Sequence, residues 1–576
     1  MKLPNKSEIS SIFASFSKKE WIVFSALAAL LVFSSLWMLE SLNRSFMVAV
    51  PASGGEISEG VVGAPRFVNP LLAAAPADRD LSSLVYSGLL RKMGGELIPD
   101  LADSYDIAKD GLSYTFVLKD DLYFHDGEPL TADDIIFTIE KAKDPVLKSP
   151  RVTNWEGVTV EKIDEKTIKF SLKQSFAAFL ENTTLGILPE HIWRDSPIEL
   201  NDANTNPIGT GPFQVEKVSK ASSGLITAYE LTPFKKFALG RPLIKTLTMR
   251  FYPSESSLLS ALESGDVDQA SSLAPESAET LKDKNYRLER TVLPRVFGLF
   301  VNQSQNQIFT DKNVLRAIDL AIDKERIVRE VLEGYGEVID GPIPSSLSPD
   351  NNLSATPRAP QTEREAEALA LLAKSGWKKG EDGSLEKTTT VNKKKATTGL
   401  SFSISTGNAQ ELAATAELIK EDLLRLGMNV EVKTYETGNL NQGVIRPRKY
   451  DALLFGEIVS RESDLFAFWH SSQRKDPGLN IAIYTSSKVD KILEDALALL
   501  DPGARAKKYA DFEGEIKKDL PAVFLYSPEF IYAVRDRLGG LALPHLSAPE
   551  DRFESVYLWY INTDNVWKIF LKNNNE

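Results

Sequence analysis

Apolar and polar residues alternate with a period of two in several short stretches of the chain. Within residues 113–124, every second residue from Tyr114 to Leu118 is apolar, and the pair Asp120-Asp121 follows. Strict alternation is typical of a strand with one buried face, and adjacent aspartates are typical of a turn. The pattern predicts a β-hairpin over residues 113–124.

A helix is predicted directly after this hairpin. Thr131 and Asp134 have the spacing of a capping box, with Asp in place of the usual Glu, and Leu130 and Ile135 flank them as a hydrophobic staple. Each polar side chain of such a box accepts a hydrogen bond from a backbone N–H that the helix leaves unpaired. The spacing predicts a helix that begins at about residue 132.

Two more helices are predicted to end at glycine. Apolar residues recur on one helical face within 256–264, before Gly265, and within 410–426, before Gly427. Glycine readily adopts the left-handed backbone that follows many helices. Short alternating stretches lie on both sides of the second helix within 400–432, which predicts a βαβ unit. Strand and helix patterns alternate in the same way elsewhere, so the predicted fold class is α/β.

The segment Trp21–Leu39 contains 19 consecutive residues without a charge. As a helix it would match the roughly 30 Å hydrocarbon core of a bilayer. Lysines are enriched on the cytoplasmic side of membrane helices, and four precede this segment: Lys2, Lys6, Lys18 and Lys19. We therefore expect a cytoplasmic tail over 1–20, a transmembrane anchor over 21–39 and a tether over 40–55, with the remaining chain outside the cell membrane.

Two alternatives to a retained anchor stay open. The first is a cleaved signal peptide, for which Val50-Pro51-Ala52 could serve as the small-residue cleavage site. The second is a buried core helix. Because the apolar run exceeds the roughly 7–15 residues of a signal peptide, the retained anchor is favoured.

Composition and charge exclude several classes of protein. The chain has 576 residues, of which 43% are hydrophobic and 26% charged, as in globular proteins of several domains. A net charge of −13 provides no basic surface for nucleic acid. The chain has no cysteine, which excludes disulfides, thiol nucleophiles, cysteine-ligated zinc and a cysteine-borne lipid anchor. Residues 378–399 are polar and rich in lysine, so we expect an exposed loop or a ragged hairpin there.

No catalytic motif is present in the chain. The GxxxxGK[ST], HExxH and GxSxG patterns do not occur. The pairs Asp120-Asp121 and Asp133-Asp134 suit a turn and the first turn of a helix. The four histidines have no ligand-like spacing: His125, His191, His470 and His545. We expect no catalytic residue, no metal site and no cofactor.

Several blocks of sequence occur in one order along the chain. They are GEISEGVVGAPRFVNPLL (Gly55–Leu72), PDLADSYDIAKDGLSYTFVLKDDLYFHDGEPLTADDIIFTIE (Pro99–Glu140), PIGTGPFQV (Pro207–Val215), LESGDVD (Leu262–Asp268), FVNQ (Phe300–Gln303), VLRAIDLAIDKERIVREVLEGYG (Val314–Gly336), FWHSSQ (Phe468–Gln473) and PAVFLYSPEFIYAV (Pro521–Val534). Together these blocks resemble bacterial extracellular solute-binding protein family 5, the peptide- and nickel-binding group of ABC importers. The resemblance covers about residues 55–560.

The resemblance implies a bilobal periplasmic-binding-protein-like fold with an extra subdomain, in addition to the N-terminal transmembrane helix. The implied segments are lobe 1 over 56–87, 206–302 and 533–576, its subdomain over 88–205, and lobe 2 over 303–532. The chain would cross between the lobes near Val301-Asn302 and again near Phe530–Ala533.

The resemblance also implies a function. The chain would capture peptides, in particular oligopeptides, between two hinged lobes and deliver them to the permease subunits of an ABC importer. It would do so as a monomer without enzymatic activity. Three alternatives remain: a peptide-sensing receptor with the same fold, a binder of a non-peptide solute such as a nickel chelate, and an exported hydrolase.

Relatives often place an acid after a YD-x-x-L-x-G strand to pair with the amino group of the peptide. Here the strand is Tyr450–Gly456, and Val459 stands where the acid is expected, so Glu457 or Asp464 would have to replace it. The full set of candidate ligand-binding residues is Tyr252, Phe297, Phe455, Gly456, Glu457, Val459, Asp464, Trp469 and His470. For Trp469, packing in a core is an equal alternative.

Overall fold

The computed structural model describes residues 10–11, 14–176, 178–282, 284–347, 358–391, 394–543 and 546–570. His545 therefore lies outside the described residues. The chain forms two compact units. The small unit contains the residues up to Gly54 and those from Tyr560 onward, and the large unit spans Gly55–Trp559.

The elements are named in chain order. The strands are β1 (Met47–Ala52), β2 (Glu56–Val62), β3 (Leu90–Met93), β4 (Glu96–Pro99), β5 (Ala102–Ile107), β6 (Ser113–Leu118), β7 (Val158–Lys162), β8 (Thr167–Leu172), β9 (Phe213–Lys220), β10 (Ile226–Pro233), β11 (Thr246–Tyr252), β12 (Gln269–Ser271), β13 (Tyr286–Val292), β14 (Arg295–Val301), β15 (Gly336–Val338), β16 (Lys378–Lys379), β17 (Leu385–Val391), β18 (Lys394–Gly399), β19 (Ser401–Gly407), β20 (Asn429–Tyr435), β21 (Ala452–Ile458), β22 (Ala522–Arg535) and β23 (Asn562–Trp567). The helices are α1 (Lys18–Phe46), α2 (Pro76–Val85), α3 (Ala132–Lys143), α4 (Phe179–Asn182), α5 (Glu190–Trp193), α6 (Glu255–Ser264), α7 (Pro275–Glu279), α8 (Lys312–Ala321), α9 (Lys324–Glu330), α10 (Gln361–Lys374), α11 (Gln410–Leu426), α12 (Thr437–Asn439), α13 (Asp464–Trp469), α14 (Ser487–Ala498) and α15 (Pro502–Asp519).

The small unit consists of helix α1 and a two-stranded ribbon. Ser17 caps α1 in a capping box with Glu20, whose carboxylate accepts from the Ser17 backbone N–H at 2.7 Å. Helix α1 has 29 residues and is long and apolar enough to cross a membrane. None of its residues is buried. The alternative of a buried core helix is therefore wrong.

The residues expected to form a tether are ordered. The helix continues to Phe46, and β1 begins at the next residue. β1 pairs with β23 in antiparallel register, with Met47 opposite Trp567 and Ala52 opposite Asn562. The predicted tether thus contributes a strand to the small unit.

The large unit is built on a continuous hydrogen-bonded sheet in the order β20-β19-β21-β14-β22-β12-β2-β11-β10-β9. Strand β22 belongs to both halves of this sheet. Its first part, Ala522–Tyr526, pairs with β14, and its last part, Glu529–Arg535, pairs with β13. We call the part of the sheet with β2 and β9–β13 the first lobe, and the part with β14, β15 and β19–β21 the second lobe.

The second lobe contains the predicted βαβ unit. Strands β19 and β20 are parallel, with Ser401 opposite Asn429, and α11 connects them. Gly427 ends α11 with a left-handed φ of 96°. Side chains alternate between the faces of the sheet, so Leu454 and Leu453 belong to separate hydrophobic cores. The lysine-rich stretch after α10 forms the short strands β16–β18, which matches the ragged-hairpin alternative.

Residues 88–205, which the family resemblance assigns to a subdomain of the first lobe, contain a four-stranded sheet in the order β5-β6-β8-β7. Helix α3 begins as predicted, because the Thr131 and Asp134 side chains form the capping box. The predicted hairpin is wrong. Strand β6 pairs with the preceding strand β5 and with β8, which lies about fifty residues further along the chain, whereas Tyr123 forms an isolated bridge to Pro129. Asp121 still makes a turn, with φ 55°.

Two of the sequence blocks meet in the first lobe. The His125 backbone N–H donates to the Gly209 carbonyl at 2.9 Å, and the His125 ring contacts the Gly211 carbonyl through Nε2 at 3.1 Å. The turn of Gly209 and Gly211 lies directly on the end of α2, since a Cβ on Gly209 would stand 2.2 Å from the Val85 oxygen. Burial lowers the pKa of His125 to about 4, which keeps the ring neutral. These blocks therefore have a structural role.

A fully buried ion cluster joins five segments of the first lobe. The Arg552 guanidinium donates to Asp80 at 2.7 and 2.8 Å and pairs with Glu59 at 2.6 Å. Glu59 also accepts from the Tyr532 hydroxyl at 2.6 Å and from the Gln269 amide at 2.8 Å. These residues lie on β2, α2, β12, β22 and the segment after β22, so the cluster fixes those elements to one another.

We expect Arg552→Met to destabilise the protein by about 3–5 kcal/mol, because it leaves the Glu59 and Asp80 carboxylates buried without a cation. Arg537→Met is the matched control. Arg537 pairs with Asp268 at 2.7 Å but is 52% exposed, so its loss should cost less than about 1 kcal/mol. Chemical unfolding of the two variants measures the difference, and equal losses would contradict the assigned role of the buried cluster.

Candidate functional site

A cavity of about 460 Å³ lies between the two lobes. The first lobe contributes most of its wall, from α2, β3, the residues around Arg151, α4 and the segment 547–554. The second lobe contributes Ser460, Arg461 and Asp464, at the end of β21 and the start of α13. We call this space the interlobe cavity.

Charged side chains of both signs line the interlobe cavity. The cationic residues are Arg79, Arg91, Lys92, Arg151 and Arg461, and the acidic residues are Asp100, Glu181, Asp464, Glu550, Asp551 and Glu554. Such a lining can bind a ligand that itself carries both charges, because each charge finds an opposite partner in a partly desolvated space.

The second lobe contacts the first directly at this cavity. The Arg461 guanidinium donates to the Asn182 side-chain oxygen at 3.2 Å and lies 3.8 Å from Glu181. The Ser460 hydroxyl donates to the Ser547 carbonyl at 3.3 Å. Arg461 also lies 3.5 Å from Asp464 on its own lobe, so it connects the two walls.

Burial raises the pKa values of the acids around the cavity. The pKa values of Glu181 and Asp464 are raised chiefly by desolvation, although Arg461 opposes both shifts. Desolvation together with repulsion from Asp551 raises the pKa of Glu554 to about 8. A cationic group entering the cavity would oppose these shifts and favour the ionised form of the acids.

Arg151 is the cation with the fewest protein partners in the cavity. Among the described residues its guanidinium makes no hydrogen bond and no ion pair, whereas Arg79 pairs with Glu550 at 2.9 Å. The pKa of Arg151 is lowered, chiefly by desolvation and further by repulsion from Arg79 and Arg461. Glu550 offsets part of this shift, and a ligand carboxylate would add a second negative charge, which makes Arg151 a candidate anion-binding residue.

Asp464 is the one sequence-predicted site residue in the cavity wall. It lies at the first position of α13, and one carboxylate oxygen accepts from the Arg461 backbone N–H at 3.0 Å. The other eight candidates are not part of that wall. Tyr252 ends β11 and packs against the first-lobe core.

Three candidates pack around the sheet of the second lobe. The Phe297 ring stacks on Tyr526 with 4.9 Å between centroids, and a Cβ on Gly456 would stand 2.8 Å from the Phe297 ring. Gly456 is therefore required for close packing against this ring. Phe455 points to the opposite face and packs on the core that contains Leu453.

Val459, Trp469 and His470 do not reach the cavity wall either. Val459 and Trp469 are fully buried in the second-lobe core, so Trp469 follows the core-packing alternative. The His470 ring stacks on Phe466 at 4.2 Å, and its Nδ1 contacts the Ser472 hydroxyl at 2.8 Å. His470 Nδ1 also accepts from the Ser472 backbone N–H at 3.2 Å and so caps a short 3₁₀ turn outside the cavity wall. Among these candidates, the contact between the Ser472 hydroxyl and His470 comes nearest to the Ser–His arrangement expected of a hydrolase.

Glu457 is buried with no partner for its charge. Its side chain is 3% exposed, and neither carboxylate oxygen has a hydrogen-bond partner among the described residues. Desolvation raises the pKa of Glu457 well above its ordinary value. It follows Phe455 by two residues on β21 and so faces the same core side of the sheet. The Glu457 carboxylate is therefore not solvated at the end of the strand.

The cavity also contains residues that the sequence reasoning missed. Arg79, Arg151 and Arg461 lie on three segments that are far apart in the sequence, and Glu550 lies on a fourth. Each of them resembles an ordinary charged surface residue when it is taken alone. The described residues contain no group of three or more His, Asp or Glu side chains placed to hold a metal ion.

We expect Glu457→Gln to gain stability relative to the wild type as the pH rises. The unfolded chain ionises Glu457 near its ordinary pKa of about 4.3, whereas the folded protein keeps it protonated to higher pH. The wild type therefore loses stability as the pH rises above that value, and the glutamine variant lacks this loss. Chemical unfolding at several pH values between roughly 4.5 and 8 measures the difference.

Glu431→Gln is the matched control, because Glu431 lies on the neighbouring part of the same sheet with its side chain 69% exposed. Its stability difference from the wild type should stay nearly constant with pH. Parallel pH profiles for Glu457→Gln and the wild type would contradict the raised pKa of Glu457.

Comparison with known proteins places this fold and cavity in a family. The family described as bacterial extracellular solute-binding proteins, family 5 Middle, matches residues 96–476. The oligopeptide-binding protein AppA of Bacillus subtilis (strain 168) is 29% identical over 506 residues, which cover 85% of this chain and 89% of AppA.

Solved structures agree with the sequence match. AppA of Bacillus subtilis in complex with a nonapeptide aligns with a TM-score of 0.65 and 29% identity over 89% of this chain and 100% of that one. NikZ of Campylobacter jejuni in complex with Ni(L-His) aligns with a TM-score of 0.68 and 28% identity over 88% of this chain and 99% of that one. The family match alone spans about two thirds of the residues of this chain. This chain therefore belongs to family 5 of the bacterial extracellular solute-binding proteins.

Proposed function

We propose that this protein is the extracytoplasmic substrate-binding component of an ABC importer and captures peptides between its two lobes for delivery to the permease. The observation that carries this proposal is the interlobe cavity, whose wall comes from both lobes and contains charges of both signs. The resemblance to AppA, an oligopeptide-binding protein, supports a peptide ligand. The protein is proposed to act as a monomer, as the family resemblance implies.

The lining suggests how a peptide would be held. The terminal carboxylate would pair with Arg151, whose guanidinium makes no hydrogen bond or ion pair among the described residues. The terminal amino group would pair with Glu181 or Asp464, whose pKa values are raised by burial and would fall when a cation enters. Asp464 would thus take the place of the acid expected at Val459.

Ligand capture would use the strands that join the lobes. The chain passes from β13 in the first lobe to β14 in the second lobe at Leu293–Arg295. Strand β22 changes its pairing partner from β14 to β13 at Ser527–Glu529. We propose these two points as the hinge, a few residues from the crossings expected at Val301-Asn302 and Phe530–Ala533. The lobe boundaries deduced from the sequence otherwise remain predictions. Closure would bury the ligand, with the free energy supplied by contacts made only in the closed state.

The anchor helix is proposed to stay attached, with the N-terminus in the cytoplasm and the large unit outside. Cleavage after Ala52 would remove the whole of β1, which pairs with β23 over six residue pairs. The capping box at Ser17 and the length of α1 also support a stable helix. We propose binding without turnover, since the Ser472–His470 contact lies outside the cavity wall.

Mass spectrometry of small molecules that copurify with the protein tests the class of ligand. A set of short peptides is the expected result. A nickel chelate, a sugar or a chemically altered peptide would each contradict the proposal and would respectively support a metal-chelate binder, a sugar binder or a hydrolase.

We expect Arg151→Ala to weaken the binding of a peptide with a free C-terminal carboxylate by about tenfold or more, because a charge-assisted hydrogen bond contributes about 1.5–3 kcal/mol. The same peptide with a C-terminal amide should bind the variant and the wild type alike. Arg194→Ala is the control, since Arg194 is 64% exposed and pairs with Glu190 away from the cavity. Calorimetric titration measures the affinities, and an equal loss for both peptides would contradict the role of Arg151.

A further inference from the structure

Exposed apolar side chains are concentrated in the small unit at the C-terminal end of helix α1. Phe46 at the end of α1 is 56% exposed, and Trp567 at the end of β23 is 42% exposed. The two residues that follow in a short 3₁₀ turn, Ile569 and Phe570, are 75% and 74% exposed. Ordinary soluble surfaces seldom gather this many large apolar groups in one place.

The strand pairing places these side chains beside α1. β23 is antiparallel to β1, so it runs back toward the helix and ends opposite Met47, the first residue after α1. The Trp567 indole N–H donates to the Asn43 side-chain oxygen at 2.8 Å, and its ring centroid lies 6.5 Å from that of Phe46. Trp567 thus contacts the last turn of α1, and residues 568–570 continue from it.

The position along α1 corresponds to the surface of a bilayer. Asn43 follows Leu39, the last residue of the uncharged stretch, by four residues, or about 6 Å along a helix. The headgroup region extends roughly 5–7 Å beyond the hydrocarbon on each side. Tryptophan is enriched at this depth, because its ring is apolar and its N–H is polar.

We propose that Trp567–Phe570 contacts the outer surface of the same bilayer that α1 spans and forms a second membrane attachment of the protein. This inference rests on the proposed retention of the anchor. Ile569 and Phe570 would insert among the lipid headgroups and upper acyl chains, and Lys568 would meet lipid phosphates while its methylenes stay among the apolar groups. With α1 and residues 567–570 both in contact with lipid, the ribbon could not swing freely about the end of the helix.

Spin labels on single cysteines test the contact with lipid. The chain has no cysteine, so each introduced cysteine is the only labelling site. The full-length variants Ile569→Cys and Phe570→Cys are labelled with a nitroxide and reconstituted into vesicles of phosphatidylcholine and phosphatidylglycerol. Collision rates with oxygen, which partitions into lipid, and with a water-soluble nickel complex report the depth of each label.

Two matched variants supply the reference depths. Leu31→Cys lies in the middle of the exposed apolar face of α1, and Thr563→Cys lies on β23 at the end remote from the helix. We expect the ratio of oxygen to nickel collisions at positions 569 and 570 to be several-fold above that at 563 and below that at 31.

A ratio at 569 and 570 equal to that at 563 would overturn the proposal, because it would place these side chains in water. Low collision rates with both reagents would also overturn it, because they would place the side chains against protein. If the label at position 31 is itself accessible to nickel, the transmembrane anchor is wrong. The failure of the anchor and the failure of the second attachment are therefore distinguishable.

Discussion

The buried ion cluster of Arg552, Glu59 and Asp80 is the interaction on which the arrangement of the cleft depends. Arg552 donates to both acids in the interior of the first lobe, and the Tyr532 hydroxyl on the shared strand β22 completes the cluster. Asp80 is adjacent in sequence to Arg79, and Arg552 follows Glu550 by two residues. The cluster therefore holds α2 and the segment 549–553 so that Arg79 and Glu550 meet at the cavity at 2.9 Å. Because charges of this kind are costly to bury without full pairing, the cluster specifies one arrangement of these elements.

The cavity combines fixed positive groups with acids whose charge depends on what is bound. The acids are pushed toward protonation by burial, and Arg461 connects the walls contributed by the two lobes. A zwitterionic ligand can contact both kinds of group at once. Strand β22, which belongs to both halves of the large sheet, connects the two lobes that form this cavity.

The small unit gives the residues after α1 a structure of their own. The ribbon of β1 and β23 joins two ends of the chain that lie more than five hundred residues apart, and the hydrogen bond from Trp567 to Asn43 ties the ribbon to α1. A flexible tether would allow the residues after the helix any direction. The paired ribbon restricts the direction of these residues relative to α1. It also places the exposed aromatic residue Trp567 against the last turn of that helix.

The sequence by itself determined the features that depend on local chemistry: the uncharged helix of residues 21–39, the capping box of Thr131 and Asp134, and the left-handed glycine after α11. The order of the sequence blocks also identified the family. Only the tertiary structure decided the partners of β6, the core position of Trp469 and the unpartnered burial of Glu457. It also brought Arg79, Arg151 and Arg461 together in one cavity. The physical reason is that capping and helix polarity act over a few residues, whereas strand pairing, desolvation and ion pairing depend on which distant segments share the same space.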